Sequence, residues 1–194
     1  MHPRIPLGAL TLVLAACAQS ADPVTANDFK VGVVVTPAAG APLDALNFVA
    51  HPVGENEVPS RDTPAQGQAS FHLSADGTTM TYRLTVANIS NVVASHIHIA
   101  AAGVNGPIVV FLFGNAPAGG GPVNGVLAEG SFTAADFINI LAGHSMSDLI
   151  AALQSGGAYV NVHTNDGVGA TNTGPGDFPG GEIRDQVGGG HVNH

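Results

Sequence analysis

The stretch Ala94-Ser95-His96-Ile97-His98-Ile99-Ala100 decides how the chain is read. A strand sends successive side chains to opposite faces, so residues at i and i+2 point the same way. Ile97 and Ile99 are therefore expected on the core side. His96 and His98 are expected together on the other side, pointing outward. Two imidazoles placed this way offer two nitrogen ligands to one metal ion. The alternative is a pair of exposed or hydrogen-bonded histidines on a strand face.

Other runs of strand length flank this stretch. They fall near 45–50, 67–73, 80–86, 108–113, 125–132, 158–163 and 181–186. In 80–86, Tyr82, Leu84 and Val86 alternate with Thr81, Arg83 and Thr85, the pattern of a half-buried strand. The run 108–113 is apolar throughout and is expected to be covered on both faces. Ser74-Ala75-Asp76-Gly77 reads as a hairpin turn, with Asp-Gly suited to positive φ. Twenty-six glycines and 13 prolines imply many turns, and 114–124 and 168–179 read as long loops. Short strands separated by such turns predict an all-β sandwich or barrel. One or two short helices interrupt it. Thr133 with Asp136 reads as a helix start, followed by Phe137, Ile140 and Leu141, with Gly143 as its end. A second short helix is expected over 147–153, stopped by Gly156-Gly157.

The amino terminus reads as a separate segment. Arg4 precedes an apolar run, 7–16, too short to span a bilayer, which needs about 20 residues. Residues 1–16 are thus an export signal to be left out of fold reasoning. Leu14-Ala15-Ala16-Cys17 resembles a bacterial lipobox, in which Cys17 is acylated and becomes the first mature residue. The alternative is an ordinary cleaved signal with a chance cysteine. Residues 17–44 form a tether and lead-in, 45–187 the folded domain, and 188–194 a flexible tail of glycine and histidine. A lipid anchor would place the protein in the cell envelope, on the periplasmic or extracellular face.

Charge narrows the partners. Only 10% of residues are charged, lysine plus arginine number five, and the formal net charge is −9. Nucleic acid needs basic patches that this chain lacks, and anionic lipid headgroups would not attract it by charge.

A third histidine, His163, lies in the strand-like Ala158-Tyr159-Val160-Asn161-Val162-His163-Thr164. Three neutral imidazoles suit copper or zinc. Cu(I) tolerates two or three imidazoles, and Cu(II) prefers a tetragonal set of nitrogen and oxygen ligands. Zinc, the less favoured of the two, wants four ligands, or three and a water. Cys17 is the one cysteine, and no methionine lies near the histidines, so a blue-copper centre is not expected. His51, before Pro52, is a candidate fourth ligand. His72 falls on the opposite strand face, His144 in a loop, and His191 and His194 in the tail, where they would collect metal weakly. Glu57 and Glu182 are candidates to hydrogen-bond the second nitrogen of a ligand imidazole. Alternatively, Glu57 and Arg184 form a structural ion pair. Asn161, on the face of His163 and Tyr159, orients His163 or satisfies backbone groups. Asn105-Gly106-Pro107 and Gly180-Gly181 read as turns.

Six blocks in order resemble the CHRD (chordin-type) domain family. They are Asn56-Glu57-Val58-Pro59, Gly67-Gln68-Ala69-Ser70-Phe71, Ala94-Ser95-His96-Ile97-His98, Gly103-Val104-Asn105-Gly106-Pro107-Ile108-Val109, 159–164 and Pro179-Gly180-Gly181-Glu182-Ile183-Arg184. The resemblance runs from about Ala45 to Gln186 and implies an all-β, Greek-key-like antiparallel β-sandwich. Two positions depart from the family pattern. Ile99 stands where glycine is usual, and His51 where an apolar or small residue is usual. The His-x-His strand on a sandwich is also similar to copper/zinc superoxide dismutases, with no further block in common.

These readings imply an exported copper-binding lipoprotein. As a copper-only superoxide dismutase it would hold the ion on His96, His98 and His163, and Arg184 would attract superoxide. The acidic surface opposes such steering at long range, so any attraction must be local. The alternatives are a non-catalytic copper storage or delivery protein, and a metal-free adhesion or interaction module. A hydrolase is not expected, because no Gly-x-Ser-x-Gly elbow occurs.

Overall fold

Alternation of small or polar with large apolar residues builds the sheets. In β2 (Gln66–Leu73), Ala69, Phe71 and Leu73 are buried while Gln68, Ser70 and His72 are exposed. Its hairpin partner β3 (Thr79–Ser90) buries Met80, Leu84 and Val86 toward the same side. The turn between them is the expected one, with Gly77 at φ 71° and the Asp76 carboxylate accepting from Ser74 and Thr78.

The computed structural model describes residues 46–191, apart from the side chains of 190 and 191. Besides β2 and β3 these residues form β1 (Asn47–Ala50), β4 (Val92–Ile99), β5 (Ile108–Phe113), β6 (Pro122–Thr133), β7 (Ala158–Thr164), β8 (Ile183–Gln186) and β9 (Gly188–His191). One α-helix, α1 (Met146–Gln154), lies between β6 and β7. The strands make two antiparallel sheets, ordered β6-β3-β2-β1-β9 and β5-β4-β7-β8. The chain passes back and forth between the sheets at β3–β4, β5–β6, β6–β7 and β8–β9, as a Greek-key-like sandwich requires. The core between them includes Phe48, Phe71, Leu84, Ile97, Val160 and Ile183, all at most 2% exposed. Burying each such side chain contributes about 1.5–3 kcal/mol.

Three expectations are corrected. The run 108–113 is an edge strand, and Phe111 is 46% exposed. Register shifts flank its pairing with His96 and Ile97, so Phe111 stands opposite His96. Bulges of this kind re-aim side chains beside sites. The helix expected from Thr133 is two short 3-10 turns, 134–136 and 139–141. The capping box of Thr133 and Asp136 is present. The helix stops because the Ile138 N–H donates to the Val109 carbonyl and the Asn139 amide donates to the Ile108 carbonyl. Asn139 sits at φ 53°, and β-branched Ile138 and Ile140 add little helix propensity. Lastly, the glycine-rich segment 188–191 is β9, paired antiparallel with β1. Gly189, at φ 119°, passes so close to β1 that a Cβ would meet the Asn47 carbonyl. Cys17, the export signal, the tether 17–44 and His194 lie outside the described residues.

Candidate metal centre

β4 and β7 are neighbours, and β8 lies beyond β7. Register sets Ala94 opposite His163, His96 opposite Asn161 and His98 opposite Tyr159. Asn161 in turn faces Arg184 of β8. By alternation these polar side chains all leave the same face of the sheet. That face is not open to water. His96 is 5% exposed and His98 6%, and His163 is half-buried. The sequence parity was right about their shared side and wrong about exposure, because loops before β2, after β4 and before β8 cover it.

The loops also fix the rings. His98 Nδ1 lies 2.9 Å from the Gly106 carbonyl, and His163 Nδ1 lies 2.8 Å from the Pro179 carbonyl. A carbonyl only accepts, so both Nδ1 atoms carry the proton. In a neutral imidazole the other nitrogen, Nε2, then presents its lone pair. Gly106 is required where it stands, because a Cβ there would collide with the Ile99 carbonyl. Tyr159 stacks on His98 with centroids 4.6 Å apart and planes 5° from parallel. The Arg184 guanidinium lies over the Tyr159 ring, 3.4 Å from its centroid. Phe111 meets His96 edge to face at 4.6 Å.

The result is a convergence. Ring nitrogens of His96, His98 and His163 all lie within 4.8 Å of one another. His96 Nδ1 is 3.2 Å from His163 Nε2. Imidazole–metal bonds of about 2.0–2.1 Å hold nitrogens no more than about 4.2 Å apart. Small ring rotations would close this set on one ion. Asn161 Oδ1 lies 3.0 Å from Nε2 of both His98 and His163.

Comparison with family models places the chain. The CHRD domain family model matches residues 48–187.

The chain belongs to the CHRD domain family.

CHRD domains are extracellular or secreted modules. No curated protein matches this chain. None of the described helices is long and apolar enough to cross a membrane.

Burial keeps the histidines of this CHRD domain neutral. It pushes His96 down to about 3, aided by the charges that His163 and His98 would carry. His98 and His163 are also lowered, chiefly by burial, against the pull of their carbonyl partners. A proton is thus a poor occupant for the nitrogens. A borderline transition metal, which binds neutral imidazole, fits them.

The other expected site residues fall elsewhere. His51 is exposed, its backbone N–H donates to Asp185, and it stands outside the histidine group. Glu182 is fully buried but serves the fold: it accepts from Thr63, Thr164 and the Gly176 N–H. Neither glutamate hydrogen-bonds a ligand histidine. That outer role falls to the Gly106 and Pro179 carbonyls. Glu57 is buried, and desolvation raises it to about 7 although Arg184, Arg61 and the Asn161 amide favour its charged form. It makes no ion pair with Arg184, since the described residues form pairs only at Arg83–Glu129 and His144–Asp148. Arg184 is 1% exposed and donates to Asn105 Oδ1 and the Val104 carbonyl, so it is not poised to attract an anion from solution. His72 is exposed and bonded to Asn47, and His144 is exposed beside Asp148. Sequence reasoning missed the positioning work of Tyr159, Gly106 and Phe111. Tyr159 was on the histidine face by parity. Phe111 was hidden by the register shifts.

Proposed function

We propose that this CHRD domain is an exported copper-binding module that holds one ion on His96, His98 and His163. The observation that supports it is the meeting of three neutral, mostly buried imidazoles from two strands, two of them fixed as Nδ1–H tautomers. Copper is favoured over zinc because imidazoles serve it in both oxidation states and it stands above zinc in divalent affinity. We read the role as holding copper in the cell envelope, for storage or delivery, and not as superoxide dismutation. The dismutase reading needed Arg184 to attract the anion, and that side chain is tied down beneath a loop. Acylation at Cys17 belongs to the same proposal and would tether the module to a membrane.

The test is copper titration of the purified protein beside the triple His→Ala variant of the three residues, followed by a superoxide dismutation assay. One ion per chain in the native protein and none in the variant, without dismutation above free copper, supports the proposal. Dismutation well above free copper would replace storage with catalysis. Absence of copper binding would leave the interaction-module reading. Cys17→Ser is expected to release the protein from membranes into the soluble fraction, and continued membrane association would sink the lipid anchor.

A further inference from the structure

Asn161 is 3% exposed and lies at the centre of the histidine group. Its Oδ1 sits 3.0 Å from two nitrogens, His98 Nε2 and His163 Nε2. Both nitrogens carry lone pairs, because the protons are on the opposite side of each ring, bonded to the Gly106 and Pro179 carbonyls. An amide oxygen facing two imidazole lone pairs is repulsive on its own. Buried polar atoms normally face a complementary partner. The amide turns its oxygen, and not its NH2 end, toward both rings. What such a set of acceptors accommodates is a cation.

We infer that Asn161 is a fourth ligand: its Oδ1 joins the three imidazoles in an N3O donor set that favours a divalent ion, Cu(II) or Zn(II), over Cu(I). Three imidazoles alone satisfy the monovalent ion. A hard carbonyl oxygen adds little to soft Cu(I) and much to a divalent ion that takes nitrogen and oxygen together. The inference rests on the metal-binding reading above and adds its oxidation-state preference.

The test compares the full chain with N161A and with the double variant N161D/E57Q, which keeps the local charge. Each is titrated with Cu(II), Zn(II) and, under reducing conditions with a competing chelator, Cu(I). Circular dichroism checks folding. N161A should lose about 10–100-fold in affinity for Cu(II) and Zn(II) with little change for Cu(I), and its Cu(II) EPR spectrum should shift. N161D/E57Q, with a carboxylate oxygen at the same place, should bind the divalent ions at least as tightly as the native chain, and it decides the matter should N161A not fold. Equal losses for Cu(I) and Cu(II) in N161A would overturn the inference, making Asn161 a residue that only positions the rings. Unchanged divalent affinity in N161A, or weaker divalent binding by N161D/E57Q, would overturn it too. A native chain that binds none of the three ions would instead sink the metal-binding proposal itself.

Discussion

Arg184 lies flat over Tyr159, its guanidinium carbon 3.4 Å from the ring centroid, and Tyr159 in turn stacks on His98. One buried cation thereby braces a ligand ring from the next strand but one. The same side chain donates to Asn105 and Val104, in the loop whose Gly106 carbonyl holds His98 Nδ1. Lysine lacks the planar fork needed for both tasks. R184K is expected to cost about 1–3 kcal/mol of stability and about tenfold in copper affinity, measured by urea unfolding and chelator competition. An R184K protein with native affinity would show that the stack is ornamental to the site.

Gly106 offers a narrower probe of the same loop. The methyl of G106A has no room against the Ile99 carbonyl, so the loop must shift and the His98 hydrogen bond with it. Stability should fall by about 1–3 kcal/mol, and copper affinity should fall in parallel. If G106A melts like the native protein and binds copper normally, the loop does not set the His98 tautomer.

Phe111 shields His96 from the edge of the sheet. Because burial is the largest cause of the low His96 value, F111A should raise it toward the ordinary 6.5. An NMR titration of the metal-free protein reads this directly. A His96 that still refuses a proton down to about pH 4 would show that the neighbouring histidines, not solvent exclusion, set its state. The stability cost should be small, about 1 kcal/mol, since the ring is already 46% exposed.

Two titrations pull metal-free stability in opposite directions. His96 is near 3 when folded against 6.5 ordinarily, so the unfolded chain takes up a proton the fold refuses. Its contribution is complete above pH 6.5 and is lost as pH falls toward 3. Glu57 is near 7 when folded against 4.5, so the fold takes up the proton first. Its contribution is complete below pH 4.5 and is lost as pH rises through 7. E57Q mimics the neutral acid. Its stability relative to the native chain should therefore grow with pH, by roughly 1–3 kcal/mol between about pH 4 and pH 8. Denaturant unfolding across that range checks the slope, and a flat difference would contradict the raised Glu57 value.

Much of this arrangement is legible in the residues. Alternation in 80–86 and 94–99 reports which side chains share a face, and that local rule survives folding. It placed His96, His98, His163 and Asn161 together once β4 and β7 paired. It could not report burial, because the cover comes from loops distant in sequence: Gly106 and Pro179 are turn residues by composition and ring-holding carbonyls by position. Arg184 looked like a free cation because its partners, Tyr159 and Asn105, meet it only across strands. The helix expected after Thr133 had a sound cap but gave the Ile138 N–H and the Asn139 side-chain amide to carbonyls of β5. Gly188–His191 has no side-chain pattern of a strand, and its pairing to β1 is a backbone matter.

Whether the three histidines hold copper is decided by metal content measured on the full chain purified from copper-supplemented cells, beside the variant lacking the imidazoles of His96, His98 and His163. Close to one bound copper per native chain and none in the variant is the expected result, with both proteins folded. Equal copper in the two, or none in either, would contradict it.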